Sequence, residues 1–370
     1  MRAVPLLDVL RARARRRTVA FCLIGASLAA GAFATGAQAA EQRPAKVMTR
    51  NIYLGADLTR SITATSVPEL LAANAQIFAN VQQTNFPERA KALAREIKNA
   101  DPTLLGLQEV ALWRSGAFNN PAPATTVEYD FLASLQSELA AVGAPYNVVK
   151  VQQEADLESP AGSPYFKDFR LTMHDAILVK AGLGKEVRLT NAQSANFNNN
   201  LTLTTGTGQT ITVKRGWVSV DAVVNKRPFR FVDTHLEAFH PGVRAQQAQE
   251  LVAGSGPVGS APGKAFLVGD INSDPAQSSP DNIAYNVLIG SGMVDTWPVA
   301  NPGNPGLTCC FSELLDDSSA GVFSSRIDHV LAKGALEVVG ARVYGTDAKN
   351  RAAGGLWPSD HAGVAATLEP

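Results

Sequence analysis

The eight residues AFLVGDIN, residues 265–272, set four consecutive apolar side chains directly before a glycine and two polar residues, Asp270 and Asn272. A short apolar run that ends at a turn residue is consistent with a strand buried on both faces. Aspartate and asparagine are ordinary turn residues, because they accept hydrogen bonds from nearby backbone and tolerate unusual dihedral angles. This stretch therefore predicts a buried strand whose end presents a carboxylate and an amide.

Other predicted strands of the chain have polar residues at or near their ends. Apolar runs predict strands over 46–53, 104–110, 229–236, 326–332 and 364–368. The polar segments associated with them are Asn51, Gln108-Glu109, Thr234-His235, Arg326-Ile327-Asp328 and Ser359-Asp360-His361. One such segment by itself is more often a solvated strand end, a turn or a surface salt bridge than a catalytic group. Their repeated occurrence favours a shared site.

The alternation of strand and helix patterns predicts the fold class. Helices are predicted over 86–100, stopped by Asp101-Pro102, and over 129–142 and 243–252. The stretch 146–239 is rich in β patterns, with a hairpin over 201–204 and 210–213 around Gly206-Thr207-Gly208. We find no internal repeat and no long linker. The chain is therefore predicted to be an α/β protein of two packed, mainly antiparallel sheets flanked by helices, a four-layer sandwich.

The first residues have the pattern of a secretory signal peptide, predicted over 1–39. Arginines between Arg11 and Arg17 precede an apolar run over 19–34 and the small-x-small sequence Ala37-Gln38-Ala39. The run is too short and too rich in Ala and Gly for a typical membrane span. An uncleaved anchor is the alternative, and the consecutive arginines also permit a twin-arginine route. We expect a secreted protein with one domain over 40–370.

Removing this leader changes the charge of the chain. The full sequence has 33 Lys and Arg and 33 Asp and Glu, and the leader takes six arginines and one aspartate, which leaves a net charge of −5. A mildly acidic chain has no global attraction to nucleic acid or anionic lipid, although a local basic groove stays open. Only Cys309 and Cys310 remain, and we interpret this adjacent pair as structural. In an oxidising compartment they could form a vicinal disulfide, or one could bind a partner thiol.

Taken together, the ordered polar segments resemble the endonuclease/exonuclease/phosphatase superfamily. The resemblance covers the chain from about residue 46 to its end and predicts that 40–370 is one catalytic domain of this type. It implies a hydrolase that acts on phosphoric ester bonds with a divalent metal. Several members carry an acid two residues after the first asparagine, where this chain has Tyr53, and Asp57 is the next acid along.

These segments can supply a metal site suited to the hydrolysis of a phosphate ester. The reaction needs charge neutralised on the nonbridging oxygens and a water made nucleophilic. A hard cation prefers carboxylate and amide oxygens, so Glu109 is the best ligand candidate and Asn51 could add an amide oxygen. The resemblance implies the same ligands and adds Asp360. The expected cofactor is Mg²⁺, with Mn²⁺ or Ca²⁺ as alternatives.

The remaining polar residues have chemistry suited to catalysis. Asp270 is expected to orient the attacking water or accept its proton, and Asn272 to donate a hydrogen bond to the phosphate. His361, paired with Asp328, would carry positive charge toward the phosphate, because a carboxylate raises the pKa of an imidazole. His235 would stabilise the transition state or protonate the leaving group. We interpret His329 as structural, and His174-Asp175 as structural with a place at the site as the alternative. Arg215 and Arg244 are interpreted as solvated, with a phosphate clamp as the alternative.

Three enzyme functions and one binding function fit the sequence. A phosphodiesterase, the favoured interpretation, would act on nucleic acid if a basic groove lies beside the site. A phospholipase C-type enzyme such as a sphingomyelinase needs an exposed loop that enters a membrane interface, and Trp113 or the stretch near Trp297 could serve. A phosphomonoesterase needs only a small positive pocket. A secreted binding protein on the same scaffold is the non-enzyme alternative. The sequence indicates no obligate protein partner and no stable membrane insertion after cleavage of the leader.

Overall fold

A computed structural model describes residues 44–334 and 337–369 of the 370-residue chain. The predicted signal peptide, residues 1–39, lies outside the described residues. The strands are β1 Ala45–Asn51, β2 Leu104–Gln108, β3 Leu112–Ala117, β4 Thr126–Asp130, β5 Tyr146–Ala161, β6 Lys167–Lys180, β7 Val187–Asn196, β8 Leu201–Thr204, β9 Thr210–Val213, β10 Gly216–Val224, β11 Arg227–His235, β12 Ala265–Asp270, β13 Met293–Asp295, β14 Asp328–Lys333, β15 Glu337–Tyr344 and β16 Gly363–Glu369. The helices are α1 Thr59–Thr63, α2 Val67–Gln83, α3 Phe86–Ala100, α4 Phe131–Ala141, α5 Pro241–Val252, α6 Ile283–Gly290 and α7 Thr296–Ala300.

The strands form two large sheets and one separate hairpin. The first sheet has the order β15-β16-β1-β2-β6-β3-β4, and β5 pairs with β6. The second has the order β13-β14-β12-β11-β10-β7, and β8 and β9 form the hairpin. Among the described strands, β1 with β2 and β11 with β12 pair in parallel, and the other pairs are antiparallel. The prediction of mainly antiparallel sheets is confirmed.

Alternating side chains of the central strands fill three apolar layers. On β1, Val47 packs between the two sheets, whereas Met48 packs toward α2, α3 and α4. On β12, Phe266 packs between the sheets and Leu267 packs toward α5 and α6. This period of two is the geometry of an extended strand with both faces buried. Three apolar layers separate helices, sheet, sheet and helices, so the predicted four-layer sandwich is confirmed.

Most predicted elements occur with shifted ends. The strand predicted over 104–110 ends at Gln108, and the helix predicted over 129–142 begins at Phe131. It begins there because Asp130 ends β4 and its carboxylate caps the helix, accepting a hydrogen bond from the Ala133 backbone N–H at 2.9 Å. No helix within the described ranges is long and apolar enough to cross a bilayer. Trp113 is buried, so the prediction that it could enter a membrane interface is wrong. Trp297 is buried as well, but Val294 and Val299 beside it are exposed, so for the stretch near Trp297 this stays a prediction.

A fully buried ion pair joins β1 to α3 beneath the strand ends. Arg50 Nε lies 2.8 Å from Glu96 Oε1, and Arg50 Nη2 donates to Glu96 Oε2 at 3.1 Å. Arg50 Nη1 also donates to the backbone carbonyl of His361 at 2.6 Å. A Cβ added at Gly345 would lie 2.8 Å from Glu96 Oε2, so the pair is closely enclosed. The guanidinium therefore holds the His361 backbone against β1.

We predict that Glu96→Ala lowers the free energy of unfolding by about 3–5 kcal/mol, because it leaves the buried Arg50 charge without its partner. Urea unfolding checks this. Glu88→Ala is the matched control on the same helix, since Glu88 pairs with Lys91 at the surface and such pairs contribute about 0–1 kcal/mol. Equal losses in the two variants would contradict the proposed importance of the buried pair.

Candidate active site

The two parallel strand pairs bring the predicted site residues to one edge of the sandwich. Asn51 at the end of β1 is level with Gln108 at the end of β2. His235 at the end of β11 is level with Asp270 at the end of β12, and Asp270 is level with Asp328 at the start of β14. Because carboxyl ends of parallel strands lie at the same edge, residues far apart in sequence meet there.

The backbone adopts unusual conformations at these strand ends. Glu109, Tyr53 and Asn272 have φ values of +58°, +57° and +50°. Asparagine tolerates the left-handed region, but glutamate and tyrosine rarely enter it. Gly269 has φ of +152°, and an added Cβ would lie 2.0 Å from the Thr234 carbonyl oxygen. Positive φ values of this kind occur often at functional sites, and here they turn the chain sharply after β1, β2 and β12.

Asp270 occupies the centre of the cluster. Its Oδ2 accepts a hydrogen bond from Asn51 Nδ2 at 3.1 Å and lies 3.5 Å from His235 Nε2 and 3.7 Å from His361 Nε2. Its Oδ1 accepts from the Asn272 backbone N–H at 2.9 Å. Burial raises the pKa of Asp270 to about 7, a shift that His361 opposes and the charge of Asp328 increases. The carboxylate is therefore more basic than an exposed aspartate.

His361 forms a buried dyad with Asp328. The His361 Nδ1 and Asp328 Oδ2 atoms are 2.9 Å apart. Burial opposes a charge on this imidazole, but Asp328, Asp360 and Asp270 outweigh it and raise the pKa of His361 well above its ordinary value. His361 is thus held as a protonated donor whose Nε2 is on the side of Asp270.

The environment of His235 favours the neutral imidazole, whereas that of His361 favours the charged one. Arg215 Nη1 donates to His235 Nδ1 at 2.8 Å, which leaves the ring proton on Nε2. Burial and the charges of Arg215 and His361 lower the pKa of His235 well below its ordinary value. The site therefore contains one charged and one neutral imidazole on the same carboxylate, and both present an Nε2 donor.

The predicted metal ligands lie beside this cluster. Glu109 Oε2 accepts from the Leu54 backbone N–H at 2.8 Å, and Glu109, Asp360, Asp270 and both histidines line one cleft of about 480 Å³. Burial raises the pKa of Asp360 to about 6, and of the nearby charges His361 opposes this shift while Glu109 increases it. Two carboxylates that disfavour each other's charge would be stabilised by a divalent cation, so the residues fit a hard metal ion.

Two further observations bear on which residues would bind the metal: the contacts of Asn51, and a second group of possible ligands. Asn51 Oδ1 already accepts a hydrogen bond from the Tyr53 backbone N–H at 2.9 Å, which leaves one lone pair for a cation. Asp270, Asp328 and His361 form a second group whose ligand atoms lie within 4.8 Å of one another. His361 Nδ1 and Asp328 Oδ2 are already paired with each other, so we favour Glu109 and Asp360 as the ligands. Asp57 is exposed, and its carboxylate accepts from the Thr59 backbone N–H.

Asn272 is positioned by a hydrogen bond away from the phosphate site. Its Nδ2 donates to the Leu236 carbonyl oxygen at 3.0 Å, so the predicted hydrogen bond to phosphate would require this amide to change partner. His329 lies on the opposite face of β14, with Nε2 3.0 Å from the Arg326 carbonyl oxygen and Nδ1 3.5 Å from Asp295 Oδ2. These contacts support its interpretation as structural.

Two features of the site were missed by sequence reasoning. Arg215, interpreted as solvated, is buried and fixes the tautomer of His235. The only sequence signal was a lone arginine twenty residues before the histidine, which is not specific. Cys309 and Cys310 form a disulfide, with Cys309 Sγ 3.6 Å from His361 Nε2 and Cys310 lining the cleft. The pair therefore contacts the site directly.

Comparison with known structures shows the same fold in other proteins. The D. rerio TDP2 structure complexed with a single-strand DNA product is 14% identical with a TM-score of 0.52, over 88% of this chain and 99% of that chain. An endonuclease/exonuclease/phosphatase from Bacteroides vulgatus is 16% identical with a TM-score of 0.51, over 88% of this chain and 98% of that chain. At these identities the likeness shows the fold alone. No curated protein matches the chain in sequence.

A family model gives the assignment that structural likeness cannot. The model described as the endonuclease/exonuclease/phosphatase family matches residues 74–361, which is most of the chain and includes the strand ends from Gln108 to His361. The match confirms the resemblance drawn from the polar segments. The chain therefore belongs to the endonuclease/exonuclease/phosphatase family, whose members hydrolyse phosphoric ester bonds and are generally dependent on a divalent metal.

Proposed function

We propose that the chain is a secreted phosphodiesterase that hydrolyses its substrate by attack of water, with Mg²⁺ as the cofactor. The observation that carries this proposal is the position of Asp270 between a charged and a neutral imidazole, in the same cleft as Glu109 and Asp360. Secretion rests on the leader pattern of residues 1–39.

In this proposal Glu109 and Asp360 hold the cation, with Asn51 as a further ligand. When bound, the cation neutralises charge on the nonbridging phosphate oxygens and stabilises the leaving oxygen. Magnesium fits better than a softer metal, because the candidate ligands are carboxylate and amide oxygens. Mn²⁺ and Ca²⁺ take the same kind of ligand and remain alternatives.

Asp270 is proposed to orient the attacking water and accept its proton as the new P–O bond forms. A pKa of about 7 suits a base that works near neutral pH. Asn51 Nδ2 holds one carboxylate oxygen and the Asn272 backbone N–H holds the other, so the group has a fixed orientation.

The two histidines are proposed to stabilise negative charge that develops on the phosphate oxygens. His361 would do so as a cation whose charge Asp328 sustains. His235 would do so as a neutral Nε2–H donor, because its lowered pKa and the hydrogen bond from Arg215 disfavour an imidazolium. Of the two roles predicted for His235, hydrogen-bond donation is therefore favoured over proton delivery.

The charges of the cleft favour a diester with one negative charge. The charged side chains that line the cleft among the described residues are one arginine, Arg215, and five carboxylates, besides the histidines. The carboxylates are Asp57, Glu109, Asp270, Glu313 and Asp360. Even with a bound divalent cation and a charged His361 included, these groups come close to balancing, so the cleft offers neither the basic groove that a nucleic acid needs nor a strongly positive pocket for a dianionic monoester. A phosphodiester carries a single negative charge, so it needs less positive charge in the cleft than a nucleic acid or a monoester does.

We predict that bis(p-nitrophenyl) phosphate is hydrolysed faster than p-nitrophenyl phosphate or plasmid DNA when Mg²⁺ is present. EDTA should lower the rate roughly 10²-fold or more, because a cation supplies several kcal/mol of transition-state stabilisation. Release of p-nitrophenol and nicking of the plasmid measure these rates, and restoring Mg²⁺ should restore them. Preference for the monoester, or full activity in EDTA, would contradict the proposal.

We predict a large loss of kcat for His361→Gln, roughly 10²–10⁴-fold, because the charged donor is removed. His329→Gln is the matched control, since both histidines are buried and each lies beside an aspartate. This control should keep most of kcat while the free energy of unfolding falls by about 1–3 kcal/mol, the cost of unsatisfied buried partners. Similar kcat values for the two variants would mean that His361 has no catalytic role.

A further inference from the structure

A second cavity adjoins the catalytic cleft on its apolar side. We call it the side cavity. It has a volume of about 110 Å³, and its lining includes Leu58, Ile62, Phe78, Trp113, Leu171 and Ile211. Among the residues that the structure describes, Glu158 is the one charged member of this lining. Its Oε1 accepts a hydrogen bond from the Ala124 backbone N–H at 2.9 Å. The cavity is therefore suited to an uncharged, mainly apolar group.

The side cavity and the catalytic cleft share one wall. Leu58, Ile62, Leu157 and Leu171 line both spaces. The cleft continues from this wall to Glu109, Asp270 and His361. The four shared side chains are therefore the place where a substituent of a phosphoester bound at the catalytic residues would reach the side cavity.

The floor of the side cavity is a packed aromatic cluster. Phe78 stacks on Phe169 with ring centroids 3.6 Å apart, and its ring centroid lies 6.2 Å from that of Trp113. The Trp113 indole N–H donates to the Leu54 carbonyl oxygen at 2.9 Å, so its polar atom is already paired. These side chains offer a ligand hydrocarbon surface and few free polar groups.

The β8–β9 hairpin forms the roof of the side cavity. Its tip rests on the chain at α1, where the Gly206 backbone N–H donates to the Ile62 carbonyl oxygen at 3.0 Å. A Cβ at Gly206 would lie 2.3 Å from the Ala64 carbonyl oxygen, so only glycine permits this close approach. Ile211 of β9 belongs to the cavity lining, whereas the neighbouring Thr212 is exposed and does not.

We propose that the side cavity binds a hydrocarbon substituent of the phosphodiester substrate. The proposal rests on the phosphodiesterase function proposed above and deepens it, because it names the chemical class of one ester group. A cavity of this size holds a short alkyl chain or a benzene-sized ring, since apolar cavities of about 150 Å³ bind benzene. The lining also has polar residues, namely Ser61, Asn74, Ser159, Thr205, Thr207 and Gln209. Its aliphatic and aromatic side chains nevertheless favour a hydrocarbon over a sugar or a nucleobase, whose many polar groups would not all find partners there.

The first test measures binding of methyl alkyl phosphates whose second ester group is methyl, butyl, hexyl or octyl. Calorimetric titration in EDTA, in which the proposed hydrolysis is suppressed, should show Kd falling by up to about fourfold per methylene until the chain fills the cavity. A Kd that does not change with chain length in the unaltered protein overturns the proposal, and this result does not depend on any variant.

Two variants of the hairpin locate the effect. Ile211→Asp should abolish most of the dependence of Kd on chain length, because it adds a charge to the cavity lining. Thr212→Asp adds the same charge to the same strand outside the lining and should keep the dependence. Circular dichroism verifies that both variants are folded. An unchanged dependence in folded Ile211→Asp would also overturn the proposal.

A parallel measurement separates this proposal from the proposed function. The p-nitrophenyl esters of the same alkyl phosphates should be hydrolysed with kcat/KM rising with chain length. Chain-length-dependent binding without hydrolysis of any ester would contradict the phosphodiesterase function and support the cavity assignment. Hydrolysis with kcat/KM and Kd both independent of chain length would support the function and contradict the cavity assignment.

Discussion

The parallel pairing of β1 with β2 and of β11 with β12 is the constraint on which the site depends. Each pair brings two carboxyl strand ends to the same edge, and the packing of Val47 against the second sheet keeps the edges together. The antiparallel neighbours β14 and β16 then begin where those strands end, which supplies Asp328 and the segment of His361. Burial of the apolar layers thus supplies the free energy that assembles a polar cluster.

The two histidines of that cluster have different charge states. His361 is kept charged by Asp328, and His235 is kept neutral by burial and by Arg215, although both face Asp270. A layer of buried carboxylates extends behind them. Burial raises the pKa of Asp175 to about 8 and the pKa values of Glu154 and Asp233 well above their ordinary range. Burial thus disfavours a negative charge on each of these three acids.

The sequence was sufficient to predict those strands and helices that are determined by neighbouring residues. The hairpin over 201–204 and 210–213 was predicted with its observed bounds, because the turn at Gly206–Gly208 determines its register. Helix α3 was predicted from its apolar periodicity and its stop at Asp101. Helix α2 was not predicted, although Ser66 caps it by accepting the Glu69 backbone N–H and a proline opens its first turn. The long pairing of β5 with β6 was not predicted, because polar residues such as Gln152 and Gln153 interrupt the apolar pattern of β5.

The sequence was sufficient to identify many residues of the site, but not the contacts between them. Strand-end chemistry identified three of them, because His235 and Asp270 follow apolar runs and His361 directly precedes one. The hydrogen bond from Arg215 to His235 depends on the tertiary fold, as does the engagement of Asn51 by both Asp270 and Tyr53. A sequence alone cannot give such pairings, since nothing local relates the partners.

The position of the cation can be measured directly in crystals grown with Mn²⁺, using its anomalous scattering. We expect a peak at about 2.0–2.3 Å from carboxylate oxygens of Glu109 and Asp360. Glu109→Ala should abolish or displace this peak. A peak among Asp270, Asp328 and His361 in the unaltered protein would contradict the account, because it would require His361 to be unprotonated and would leave no base for the attacking water.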